Sequence, residues 1–441
     1  MLSQVAESTM HRVRWAIVLV WLLMIVSLFY DPISPLWTVT VTPLCVPVQN
    51  RCVEELVGYA IAPRIFWGMV VPNAIFFVLV FGHEAWRRIC PLYFLSQLPR
   101  ALGLGPRQPI DPNSWLAINH LYVQFGLLFL GLCSRILFIN GDRTLLGVFL
   151  LGTIVLAITV VYRYGGRSWC HYFCPFGLVQ LIFTGPRGLL DSEAKPEMNN
   201  GITQSMCRSI DASGIEQSAC VGCKSPCMDI DSDRSYWEQL NQSGRRWVHY
   251  GYLGLVVGYV MYYKLYAGSF EYYYSGVWNR EVSPLMHLWD SGFYGYGNAI
   301  PKIFAVPLTL AVFSLIFYLV GRGVEGHYRK NLRQRSDRSA GVLAKHPVLA
   351  KHHMFTLVTF LAFNTFFLYG GQPELRLMPN WIQYLAHSTT IFVSTLWLVR
   401  TWNTKPAIVS VIEPIRVEEP LPSTLLREPQ GNRMAKTQLR P

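Results

Sequence analysis

Eight stretches of this chain run apolar, near 12–30, 63–82, 115–138, 145–163, 247–266, 302–321, 354–371 and 380–400. Each is close to the roughly 20 residues that cross a bilayer as helix. In hydrocarbon a spanning segment must satisfy its own backbone groups, which leaves helices or closed barrels, and uninterrupted apolar runs belong to helices. The expected fold class is therefore an all-α polytopic membrane protein of about eight transmembrane helices. Composition agrees: 15% of residues are charged, against roughly 25% in soluble domains. The first stretch reads as a span, since its apolar run is too long for a cleaved signal and no small-residue cleavage site follows. Tyr30, Trp67, Tyr162, Trp247, Trp381 and Trp397 stand near span ends, as interface belts do.

Basic residues give the orientation. Arg12 and Arg14, then Arg87, Arg88, Arg100 and Arg107, then the run from Arg322 to Arg338, then Arg400 and Lys405 fall on alternate connections. Eight spans put all of them on one face with both termini, and that face is expected to be cytoplasmic. The net charge of +12 is what such loops produce, and nucleic acid is not an expected partner. Four regions follow: a four-helix membrane half, 1–163; a cytoplasmic loop, 164–246; a second four-helix half, 247–403; and a flexible tail, 404–441, rich in Pro, Glu and Arg.

The loop carries the chemistry. Cys170 and Cys174 stand in SWCHYFCPFG, followed by Cys207 and by Cys220, Cys223 and Cys227 in ACVGCKSPC. The last three have the spacing of the second to fourth cysteines of a bacterial ferredoxin run, whose fourth thiolate serves the other cluster. That crossover gives one 4Fe–4S set, Cys207, Cys220, Cys223 and Cys174, and leaves Cys170 and Cys227 for a second. Cys90 could join the second set, because RRICPLYFLSQ at 87–97 repeats HYFCPFGLVQ in degenerate form within 83–100, with Trp86 where an earlier cysteine would stand. One cluster is expected and a second has most of its ligands. A zinc site of four cysteine thiolates is the alternative, though zinc knuckles usually come as two short C-x-x-C pairs and only one is present. Arg167, Arg208 and Lys224 would offset the negative charge of a thiolate-bound cluster. Asp229, Asp231 and Asp233 read as a solvated acidic run or a docking patch.

Cys45 and Cys52 fall on the opposite, oxidising face, where a disulfide is allowed. Cys133 lies within a span and reads as a packing residue. His83, His120, His249, His353 and His387 define no pair for a haem, and haem is not expected. His287, in the aromatic outer segment 267–301, reads as a surface residue.

At Cys170, Cys174, Pro175, Phe176, Gly177 and Gln180, then Cys220, Cys223 and Cys227, with Cys90–Pro91 as a partial copy, the chain resembles the membrane-bound polyferredoxin family. Its relatives include quinol dehydrogenases of periplasmic nitrate reduction and oxidase assembly factors. The resemblance covers about 83–230 and departs at Met228, where the family pattern has proline. It implies a membrane electron-transfer protein, an oxidoreductase component linked to the quinone pool or a ferredoxin and to subunits of a redox complex. Two other readings remain open: an assembly factor that reduces a metal or thiol, and a cluster-bearing structural subunit.

Overall fold

The computed structural model describes residues 5–34, 46–49, 51–53, 61–104, 108, 110–190, 207–224, 227–229, 232–280, 283–296, 299–336 and 347–404. They fall within one compact unit, Met1–Thr404. The expected flexible tail after 404 lies outside the described residues. In chain order the principal helices are α1 (Glu7–Phe29), α2 (Val71–Ile89), α3 (Pro91–Ser96), α4 (Trp115–Ser134), α5 (Arg143–Tyr164), α6 (Pro175–Thr184), α7 (Ser232–Gln239), α8 (Tyr252–Ala267), α9 (Lys302–Ser336), α10 (Pro347–Thr365) and α11 (Asn380–Trp402). Two small antiparallel hairpins join Val46–Val48 to Arg51–Val53 and Arg208–Ile210 to Glu216–Ser218.

Local sequence explains several boundaries. The Ser114 hydroxyl accepts from the Ala117 amide at the start of α4, and the Asp142 carboxylate accepts from the Thr144 and Leu145 amides at the start of α5. Both side chains satisfy backbone donors that a first helical turn leaves orphaned. Proline opens α3 and α6, where its missing N–H costs nothing.

Six helical segments are long and apolar enough to cross a membrane: Glu7–Phe29, Ile61–Ser96, Trp115–Ile139, Arg143–Tyr164, Lys302–Leu332 and Val348–Leu375. The expected spans at 247–266 and 380–400 are helical too, but they are not among these six. The first is a 16-residue α-helix behind a π-helical turn, Trp247–Gly251. The second is diluted by Gln383, His387, Ser388, Thr389 and Thr390. Large apolar side chains face outward along these helices, with Val20 67%, Val155 63% and Phe392 63% exposed. Six such helices with apolar exteriors are compatible with an integral membrane protein. Of the expected interface aromatics, Trp381 is exposed, whereas Trp397 is buried in the core.

Two features depart from the sequence expectation. Helix α6 lies inside the segment read as a polar loop, yet every residue from Gly177 to Thr184 is buried. A mostly apolar helix of ten residues is too short to span and too apolar to leave in water, so α6 packs among the longer helices. Three of the arginines counted as a cytoplasmic charge excess are also internal. Arg14 and Arg88 pair with Glu7 at 2.5 and 3.4 Å, and Arg87 is 2% exposed.

The two expected membrane halves share a core. Phe76 of α2 lies 6.1 Å from Phe363 of α10, ring to ring, and Phe183 of α6 lies 5.8 Å from the same ring. A close backbone approach joins α8 to α9. A Cβ at Gly254 would fall 2.5 Å from the Phe313 carbonyl oxygen and 2.6 Å from Ser314 Cα. Gly258, one turn on, meets Phe313 Cβ at 3.0 Å, which makes a small-xxx-small stripe. Replacing Gly254 with Val should cost about 1–3 kcal/mol by overpacking, read as a lower melting temperature of the detergent-solubilised protein. Gly126→Ala, whose added Cβ meets nothing within 4 Å, should cause no such loss.

Candidate metal centre

The sequence around Cys90 and Cys174 folds twice in the same way. Gly82 (φ 77°, ψ 175°) and Gly165 (φ 75°, ψ 176°) break the preceding helices in a conformation that only glycine adopts readily. A short helical stretch follows each, and Cys90 (φ −59°, ψ 116°) and Cys174 (φ −60°, ψ 119°) then cap α3 and α6. The Cys90 thiol accepts from the amides of Leu92 and Tyr93, and the Cys174 thiol from those of Phe176 and Gly177. Gln124 of α4 fixes the second copy, donating to the carbonyls of Cys170 and Cys174 at 3.2 Å each. Gly177 must lack a side chain, because a Cβ there would lie 2.3 Å from the Cys170 carbonyl oxygen.

Asp229 joins the two copies. It is 2% exposed. Arg87 Nη1 donates to its carboxylate at 2.6 Å and Arg167 Nη1 at 3.4 Å, while His171 Nε2 lies at 3.4 Å and His83 Nε2 at 4.0 Å. These four groups occupy matched positions, seven and three residues before Cys90 and before Cys174. Burial by itself would push the Asp229 carboxyl up; Arg167 and then Arg87 outweigh it and hold it well below the usual carboxylate range. Asp229 is therefore a fastening, which corrects the expectation of a solvated acidic run. Asp231 lies outside the described residues, and Asp233 pairs with Arg187 at 2.8 Å.

The thiols sort into two groups. Cys207, Cys220, Cys223 and Cys227 line one hollow, together with Lys224, Gly166 and Tyr93. Cys90, Cys170 and Cys174 line another cavity. The expected set took Cys174 in place of Cys227, on the crossover of a two-cluster ferredoxin. Here Cys174 is fixed in the helical bundle at the head of α6, while Cys227 sits two residues from Asp229 and is drawn in with its own loop.

The first hollow suits a cluster. Gly166 (φ +57°) is a cradle, since a Cβ there would lie 2.8 Å from Cys223 Cβ and 3.1 Å from its sulfur. The Arg167 amide donates to Cys223 Sγ and the Gly222 amide to Cys220 Sγ, each at 3.5 Å. Arg167 Nε is buried with no hydrogen-bond partner in the protein, a donor available to a sulfide or thiolate. A tetrahedral zinc site would hold its sulfurs about 3.8 Å apart, given Zn–S bonds of roughly 2.3 Å. Among the described residues the group of three ligand atoms within 4.8 Å of one another is His171, Cys227 and Asp229, with no cysteine triplet that close. Two arginines on the Asp229 carboxylate make that group a poor cation site.

The other expected residues are placed as follows. Arg167 also lies over the Tyr93 ring at 4.0 Å. Arg208 pairs with Glu216 at 3.1 Å beside Cys207. Lys224 donates to His120 Nε2 at 3.0 Å, and burial, with Arg87 and Arg245 nearby, lowers its pKa to about 7. Cys133 is a buried packing residue. His287 is exposed and bonds Asp290 at 2.7 Å. Cys52 is disulfide-bonded, and Cys45, its expected partner, lies outside the described residues.

With this geometry in hand, comparison with known proteins adds one match. A family model described as a 4Fe-4S binding domain matches residues 146–190, which hold Cys170, Cys174 and α6. No curated protein and no solved structure matches the chain. A 4Fe–4S binding domain among membrane-length helices defines the class: an iron–sulfur protein compatible with integral membrane placement.

Asp229→Asn should cost about 3–5 kcal/mol, because it leaves Arg87 and Arg167 buried without their counter-charge; chemical unfolding in detergent measures it. The sign with pH follows from the lowered pKa. The Asp229 contribution is fully present above the ordinary carboxylate pKa, declines as pH falls below it because the unfolded chain protonates first, and is gone once pH passes the lower folded value.

Proposed function

We propose that this chain is an integral-membrane 4Fe–4S electron-transfer protein that takes electrons from a quinol and passes them to a membrane or periplasmic redox partner. Cys207, Cys220, Cys223 and Cys227 would hold its cluster, which supplies one-electron storage when bound. Orientation follows the basic connections, with both termini and the iron–sulfur loop cytoplasmic and all eight apolar helices spanning. The exposed Tyr384, Phe392 and Val399 of α11 suit a lipid-facing helix.

One observation carries the choice of quinol over a soluble ferredoxin as donor. A cavity of about 1040 Å³ runs along α1 from Ala16 to Ser27, past Asp31, Ile33 and Ser34 beyond its end, and along α2 from Val71 to Ile89. That is the size of a site for a large ligand. Its walls are mostly apolar; Ser27, Asp31, Ser34 and Asn73 are polar groups elsewhere on it, and where α2 ends it meets Arg87, Gln180 and the three thiols Cys90, Cys170 and Cys174. An isoprenoid tail fits such walls, and Arg87 and Gln180, 3.2 Å apart, are placed to hold a head-group oxygen. The Asp229 fastening then lies between this cavity and the ferredoxin-like loop.

Protein in liposomes given a short-chain quinol should show the reduced-cluster signal by electron paramagnetic resonance. Met24→Trp, which narrows the cavity, should slow that reduction at least several-fold and leave reduction by dithionite unchanged. A cluster that quinol never reduces would remove the quinol reading.

The disulfide at Cys52 favours a second reading, a maturation factor that passes electrons to a thiol or metal on the outer face. Cys45→Ser with Cys52→Ser should then abolish maturation of the partner complex; if quinol oxidation and maturation both persist, this second reading is lost.

A further inference from the structure

We propose that Cys90, Cys170 and Cys174 hold a second iron–sulfur cluster by three protein thiolates, its fourth iron left to a non-protein ligand from the apolar cavity. The inference rests on reading the chain as an iron–sulfur protein and goes further in assigning a site that can bind as well as conduct.

Three observations converge on these residues. All three thiols line one cavity, apart from the Cys207 group. Cys90 and Cys174 have the same backbone angles, and each accepts from the amides two and three residues on. N–H···S bonds of this kind steady cluster thiolates and tune their potential. The surroundings are cationic: Arg87 and Arg167 are each within Coulomb reach of Cys170. Thiolates bound to iron would give that buried positive charge a second counterpart besides Asp229.

The fourth position decides the chemistry. Cys170 stands four residues before Cys174, and the matching position before Cys90 is Trp86. The Trp86 ring packs 4.9 Å from Phe176 and lines the same cavity, and its Nε1 is buried without a partner. A full cubane needs four ligands; the repeat supplies three and places an aromatic wall at the fourth. Metal sites that bind substrate keep one coordination position open in this way. The ligand class that fits is a lipophilic molecule with an oxygen donor, held by its tail in the cavity.

An iron without a thiolate is the one a cluster loses on oxidation. Ferricyanide takes one electron from the 2+ core, one ferrous ion leaves, and a three-iron core of charge 1+ remains, so charge and iron both balance. Anaerobically prepared wild-type protein should carry about eight irons per chain, and Cys220→Ser about four. Ferricyanide treatment of Cys220→Ser should release about one iron and produce a three-iron paramagnetic signal. Trp86→Cys added to that background should supply the missing ligand and suppress both changes. Cys90→Ser, kept only if monodisperse on size exclusion, should lose the three-iron signal and retain the cluster of the Cys207 group. If Cys220→Ser holds no iron while wild type holds about four, this second centre is overturned and the electron-transfer reading stands. A Cys220→Ser cluster that keeps all its iron through oxidation overturns the open position. Wild type devoid of iron overturns both readings.

Discussion

A carboxylate with no solvent around it survives as an anion only if fixed cations replace the water it has lost. Asp229 is in that position, and its cations come from two separate stretches of chain: Arg87 from the end of α2 and Arg167 from the turn after α5. His83 and His171 complete the ring from the same two stretches. Because Asp229 follows Cys227 by two residues, the interaction that neutralises it also draws the ferredoxin-like loop onto the helical bundle. Tyr172 adds a second tie, donating to the Cys223 carbonyl at 3.0 Å.

The arrangement has a functional consequence. On the proposed function, electrons from a lipid-soluble donor would pass from an apolar cavity to a polar loop, two environments that ordinarily lie in different layers of a membrane protein. Here one buried ion-pair ring touches both. Its arginines lie near the thiols of each group, so the same charges that hold the fold together would also favour reduced, more negative clusters. On the proposed function, structure and redox tuning would use one set of residues, and a change at Arg87 or Arg167 would alter both together.

The bundle itself is organised for close approach. Gly254 and Gly258 let α8 lie directly on α9, and α6 fills the interior between the two membrane halves. In a membrane the apolar effect does not drive helices together, so such contacts depend on packing and on internal polar pairs. Arg246 with Glu325, at 2.7 Å, and Asn364 with Ser394, at 3.0 Å, are pairs of that kind between neighbouring helical segments.

Much was readable from composition and spacing alone. Apolar run lengths fixed the helical class, since a backbone in hydrocarbon has few other solutions, and each expected span is a helix. The cysteine-proline repeat was visible as a degenerate copy, and its recurring basic residues seven and three positions upstream were there to be seen as well. What spacing could not reveal is which sulfurs share a cavity. That depends on where α6 packs and on Asp229 being buried, both set by contacts between residues from about fifty to more than a hundred positions apart. Ligand grouping is a distance in space, and local sequence encodes only distance along the chain; the tertiary fold alone put Cys227 with Cys207, Cys220 and Cys223, and Cys174 with Cys90 and Cys170.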